Sequence, residues 1–251
     1  MATATVANST TKSARRLPGR RFDHLFFTSM SVVMLLTAFA GFARTYFLAG
    51  VFRAPLPNLL IHIHGAAFTA WVLLLVAQTS LVSAGRTDIH RRLGVAGFLL
   101  GCFMVVLGVL AATDALVRAA GPAGRDPKAF YIVPLTDMMI FAVCLFLAFR
   151  ARSAPSAHKR YIYVATTALL IAAIARLPML AFASQRVLIA ALLTNVFLLI
   201  LVGYDWWSTR TIQRATLWAG AFLILVQQTR MPIGKTAAWH AFASWVQTHA
   251  R

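Results

Sequence analysis

Residues 59–117 read LLIHIHGAAFTAWVLLLVAQTSLVSAGRTDIHRRLGVAGFLLGCFMVVLGVLAATDALV: two apolar runs, 59–84 and 92–117, joined by the charged turn Arg86–Arg92. Each run has the 17–25 residues that a helix needs to cross a bilayer about 30 Å thick. Neither alternates as a membrane barrel strand of about ten residues does, and backbone hydrogen bonding inside lipid then leaves the helix as the only solution. Working outward, further apolar runs lie at 25–43, 129–150, 161–183, 187–207 and 214–231. The sequence therefore predicts an all-α integral membrane bundle of about seven transmembrane helices over residues 23–232.

Composition agrees. The chain is 60% hydrophobic and only 12% charged, against roughly 45–50% and 25% in a soluble domain. It has six Asp, no Glu and 24 Lys and Arg, for a net charge of +18. The bases sit in short clusters between apolar runs rather than along one groove, which points to lipid as partner and not to nucleic acid. Of the 24 bases, 14 fall on the N-terminal side of the predicted bundle and ten on the other. The positive-inside rule then puts the N-terminus in the cytoplasm and, with seven spans, the C-terminus outside, in a multi-pass protein of the cell (inner) membrane.

Residues 1–22, MATATVANSTTKSARRLPGRRF, have no apolar period and read as a disordered basic tail near anionic headgroups. The apolar stretch after it exceeds the usual 7–15 residues of a signal peptide, so the first span is expected to be uncleaved. At the other end, residues 233–251 place Trp239, Phe242 and Val246 at helical spacing, with Trp245 alongside, as in an interfacial amphipathic helix. Cys102 and Cys144 lie inside apolar runs without metal spacing and read as buried hydrophobes. Tyr204, Trp206 and Trp207 beside Asp205 read as an aromatic belt.

Ionisable residues inside spans are costly, which makes them the candidates for function. Arg44, His62, His64, Asp114, Asp137 and Arg176 all fall toward the outer leaflet, where they would form one ligand or ion-pair pocket. Asp137 and Arg176 lie at similar depth and are expected to pair, with Pro134 and Pro178 breaking the backbone nearby. On the second run His64, Phe68, Trp71, Leu75 and Gln78 form a polar and aromatic stripe. His62 stands about 200° from His64 around a helix, so the two do not easily share a metal.

A second pattern is repeated. His90-Arg91-Arg92 opens the third helix and His158-Lys159-Arg160 the fifth, an echo suggesting two copies of one helical hairpin. His90 and His158 then occupy equivalent cytoplasmic positions, where they could serve as axial ligands of one b-type haem. Paired histidines at helix ends, with the turn His90-Arg91-Arg92-Leu93-Gly94, resemble features of di-haem b-type transmembrane cytochromes and ferric-reductase-like membrane proteins. That resemblance implies haem ligands among His64, His90 and His158. It departs from the family pattern in that His64 lacks an outer partner unless His240 supplies one. The chain as a whole is similar to uncharacterised bacterial multi-pass membrane proteins, a likeness that carries no activity.

Four functions follow: a haem-binding or redox protein; binding or transport of a small solute or lipid through the outer pocket; an accessory or assembly subunit packed against a membrane-protein partner; and a metal enzyme using His64 with Asp114 or Asp137. No Walker, Rossmann, HExxH or GxSxG signature is present.

Overall fold

The computed structural model describes residues 20–54, 58–121, 124–180 and 185–250. Among these residues all regular structure is helical. α1 (Arg20–Phe42) widens into a π-helical turn at Ala43–Phe47; α2 (Leu59–Ser83), α3 (Thr87–Val117), α4 (Pro127–Arg150), α5 (Pro155–Ile174), α6 (Arg186–Thr209), α7 (Arg214–Gly234) and α8 (Ala237–His249) follow. Five of them, α1, α2, α3, α4 and α6, are long and apolar enough to cross a membrane. α5 and α7 have 20 and 21 residues but are more polar, with Lys159 and Arg160 in α5 and Gln227, Gln228 and Arg230 in α7.

The helix ends follow local chemistry. Asn58 caps α2 by accepting from the Ile61 amide at 3.0 Å, and Asp126 caps α4 by accepting from the Lys128 amide at 2.9 Å. Pro127 and Pro155 sit in the first turns of α4 and α5, where a missing N–H costs nothing. The run 161–183 is not one helix. α5 starts six residues earlier and ends at Ile174, because Pro178 has no amide to give to the preceding turn and restricts Leu177. Likewise α1 begins at Arg20, inside the segment read as a tail; residues 1–19 lie outside those described.

Sequential neighbours pack from α1 to α6, and α1 closes against α5 to complete a five-helix ring. Trp71 of α2 plugs that ring. Its indole N–H donates to Thr166 Oγ1 of α5 at 3.1 Å, its ring meets Phe141 of α4 edge-on at 5.0 Å, and Met34 and Met104 close the layer. α4 and α5 also pack against α7, and α5 against α6, so the molecule is two helix groups sharing α4 and α5. Two glycines permit close approach: a Cβ on Gly41 would fall 2.2 Å from the Ala173 carbonyl oxygen, and one on Gly108 2.1 Å from Met138 Sδ.

Burial explains why composition differs between helices. α5 buries eleven of its 20 residues, whereas α2 buries three of 25. An enclosed helix can carry polar side chains that lipid would reject. Leu36, Leu73, Leu99, Phe146, Leu199 and Leu225 point outward from the surrounding helices, an apolar exterior suited to lipid. Cys144 is fully buried, but Cys102 is exposed on that exterior, contrary to its reading as a buried residue.

α8 lies across one end of α3 and α4. Trp239 Nε1 donates to the Lys128 carbonyl at 2.8 Å and Gln247 Nε2 to the Leu116 carbonyl at 2.9 Å. Trp239, Ala243 and Val246 face the bundle; Phe242 and Trp245 remain exposed. We call this the far end, and the end holding the start of α1 and the α2–α3, α4–α5 and α6–α7 turns the near end.

Candidate functional site

The near end brings together two histidines that are 68 positions apart in sequence. His90 in the first turn of α3 and His158 in the first turn of α5 have ring centroids 6.3 Å apart and planes at 89°. The α4–α5 turn places His158 so that its Nδ1–H donates to the Ala148 carbonyl at 2.8 Å, leaving Nε2 with its lone pair. Gln78, near the end of α2, reaches His90. Its amide nitrogen donates to His90 Nδ1 at 2.7 Å and to the His90 carbonyl at 3.2 Å, and its oxygen accepts from the Gly94 amide at 3.0 Å. In this arrangement the His90 proton resides on Nε2. Phe98 stacks on Phe149 at 4.2 Å beside the pair, and Arg152 covers Phe149 at 4.7 Å.

His64 belongs elsewhere. It precedes Gln78 by 14 residues on α2, about 21 Å along the axis. Its ring stacks on Phe68 at 4.2 Å and lies beside the Leu107 carbonyl of α3 and within electrostatic reach of Arg176; its Nδ1 is buried without a partner.

Each of the remaining candidates engages a partner of its own. Arg44 sits over Phe52 at 5.1 Å. His62 lies beside Tyr46, whose hydroxyl donates to the His62 carbonyl at 3.2 Å. Asp114 accepts from Asn58 Nδ2 at 3.2 Å and pairs with Arg118 one turn on. Among the described residues no three His, Cys, Asp or Glu side chains gather in a metal-holding group.

The expected Asp137–Arg176 pair is not formed. Arg176 lies past the end of α5, where Nη1 donates to the Ala172 carbonyl at 2.7 Å and the guanidinium covers Phe42 at 4.8 Å. Asp137 instead accepts from Arg230 Nη1 of α7 at 2.7 Å, with both side chains buried. Equal depth on α4 and α5 did not suffice: α5 ends before Arg176, and α7, packed against α4, brings Arg230 to the carboxylate.

A second buried pair was also missed. Arg160 of α5 donates through Nε and Nη2 to Asp205 Oδ1 of α6, and through Nη1 to the Ser156 carbonyl and hydroxyl at 2.8 and 2.9 Å. Asp205 Oδ2 accepts from the Gln213 amide at 3.1 Å and from Thr216 Oγ1 at 2.6 Å. Asp205 is fully buried and Tyr204 nearly so, which takes Tyr204 out of the expected aromatic belt; Trp206 and Trp207 are exposed. Tyr204 donates to Asp23, which also pairs with Lys159, so the second basic turn is tied to α1 and α6. The available signal was charge scarcity: with six acids in the chain, each Asp in an apolar run needs a base beside it.

Compared with protein-family models, curated proteins and solved structures, the chain has no match.

Proposed function

We propose that this is a membrane protein of seven spans, its near end in the cytoplasm, that holds a b-type haem between His90 and His158 and acts in electron transfer. The observation that carries the reading is the convergence of these two rings. Two imidazoles bound to one metal at about 2 Å per bond have ring centres a little over 6 Å apart, and the rings here are 6.3 Å apart. The hydrogen bond to the Ala148 carbonyl fits as well, because a ligating histidine normally donates its other N–H to such an acceptor.

His90 meets the same requirement after one change. Turning the Gln78 amide over makes its oxygen the acceptor for Nδ1–H and leaves Nε2 free, at the loss of the contacts to the His90 carbonyl and the Gly94 amide. Gln78 is thus a positioning residue. Bound haem would supply one-electron chemistry. The seven-span reading is supported by the enclosure of α5, by the burial of Gln227 and Arg230 on α7, and by the basic turns at the near end.

The test is a visible spectrum of detergent-purified protein produced with adequate haem, oxidised and then dithionite-reduced. A reducible Soret band with sharp alpha and beta bands is expected, lost in His90→Ala and His158→Ala. Gln78→Leu should retain the haem but shift its midpoint potential. A colourless, well-folded wild type overturns the haem reading.

A further inference from the structure

At the far end, the Asp137–Arg230 pair is incomplete. The side chains are buried, yet a single hydrogen bond joins them. Arg230 Nε has no partner, and neither has Oε1 of Gln227, one turn earlier on the same face of α7. A buried cationic N–H and a buried amide oxygen, both unpaired, are each costly to the fold, and a group that completes them offsets that cost.

Both helices carrying the pair hold a proline beside it. Pro134 lies three residues before Asp137 and Pro232 two residues after Arg230. Pro134 leaves the Phe130 carbonyl without its α-helical donor, adding an acceptor on α4 between the pair and the helix start. That start borders a cleft of about 350 Å³ among α4, α7 and α8, lined by Arg125, Asp126, Phe130, Met231, Lys235 and His240. Phe130 is seven residues, about 10.5 Å, from Asp137, and Met231 adjoins Arg230. The cleft holds two fixed cations, Arg125 and Lys235, and one acid, Asp126, which faces His240 Nε2 at 3.4 Å. Its fixed charges sum to a net positive cleft, which attracts anions to the start of α4.

The polarity of the unpaired atoms constrains an occupant that bridges them: it accepts from Arg230 Nε and donates to Gln227 Oε1. Water can do both, and so can a carboxylic acid group, one oxygen accepting and the other carrying the donated hydrogen; an ionised carboxylate or a halide has no hydrogen to give. Arg230 is already neutralised by Asp137, so a bare anion would enter as uncompensated charge in low dielectric. We propose that Arg230, Gln227 and Asp137 form a binding site for a small monocarboxylate that is taken up together with one proton. The balance is RCOO⁻ plus H⁺ from solution giving bound RCOOH, with no other bond made or broken. This site is independent of the histidine pair.

The test uses the full-length protein in detergent and sodium acetate as the probe, followed by titration calorimetry in two buffers of different protonation enthalpy. Saturable binding with about one proton taken up per acetate is expected, with the apparent Kd rising tenfold per pH unit. Arg230→Lys keeps the charge facing Asp137 and Gln227→Met keeps the volume, so both should fold; each should weaken acetate binding at least tenfold. Asp137→Asn leaves Arg230 an unpaired cation, and acetate should then bind as the anion, without proton uptake.

Affinity that is flat from acetate to decanoate marks an aqueous acid as the natural source, and affinity that climbs with chain length marks a fatty acid from the bilayer. Absence of saturable acetate binding to folded wild type, binding without proton uptake, equal binding of chloride, or undiminished binding in both α7 variants would each overturn the proposal. Loss of haem in His90→Ala has no bearing on it.

Discussion

Two buried Arg–Asp pairs stand at opposite ends of the same helix group, and they differ in completeness. At the near end, Arg160 and Asp205 satisfy one another and their surroundings. The carboxylate takes two bonds from the guanidinium, one from the Gln213 amide and one from Thr216, and the remaining guanidinium nitrogen goes to Ser156. At the far end, Asp137 and Arg230 share one bond, and Arg230 Nε and Gln227 Oε1 face nothing. Burial alone therefore does not tell a structural charge from a functional one. A saturated pair has no capacity left for a ligand and can only hold α5, α6 and α7 together, whereas an unsaturated pair keeps its capacity at a cost in stability.

The largest effect should come from breaking the saturated pair. Asp205→Ala strands Arg160 and removes the acceptor for both Gln213 and Thr216, so a loss of about 3–5 kcal/mol, or failure to accumulate folded protein, is expected. Unfolding in mixed micelles against added SDS measures it. Asp137→Asn removes charge but keeps an oxygen for Arg230 Nη1, and should cost about 1.5–3 kcal/mol in the same assay. If the two losses are equal, the division between locked and open pairs is wrong.

What was legible in the sequence explains where that division came from. Runs such as 59–84 and 187–207 announce their helices because lipid exposure demands unbroken apolar length, and α2 and α6 follow them closely. The meeting of His90 and His158 was also legible, since both open a helix after a basic turn and both turns lie at one end. The partner of Asp137 was not. Depth along a helix can be counted from sequence, but rotation about its axis and the choice of neighbour depend on packing among all the helices. Arg230 was hidden for a second reason: it lies near the end of an apolar run, where a base looks as though it reaches water. The outer candidates turn on the same ground, since Arg44, His62, Asp114 and Arg176 were placed by depth and each engages a partner of its own.

A finer test removes one bond from the saturated pair. Thr216 Oγ1 donates to Asp205 at 2.6 Å from a fully enclosed position in the first turn of α7. Thr216→Val keeps the shape and should cost about 1.5 kcal/mol, the lower range for a hydrogen bond to a charged group. In haem-free protein, His158→Ala, two residues from Arg160 but outside the pair, should leave this unfolding transition within about 0.5 kcal/mol, as expected of a residue retained for binding a group rather than for packing.

The smallest change carries the sharpest sign. Gln227 buries an amide oxygen that receives no hydrogen bond, and methionine fills nearly the same volume without it. In protein free of carboxylate, Gln227→Met should therefore raise stability by about 1 kcal/mol, the desolvation cost of that acceptor recovered. An equivalent substitution at the near end, where each polar atom of the Arg160–Asp205 pair is engaged, can only lower it. A gain in stability joined to a loss of acetate binding in the same variant is the trade that a retained, unsatisfied site must show. A loss of stability in Gln227→Met would mean that the amide oxygen is satisfied at rest, and the contrast between the two pairs would then lose its physical basis.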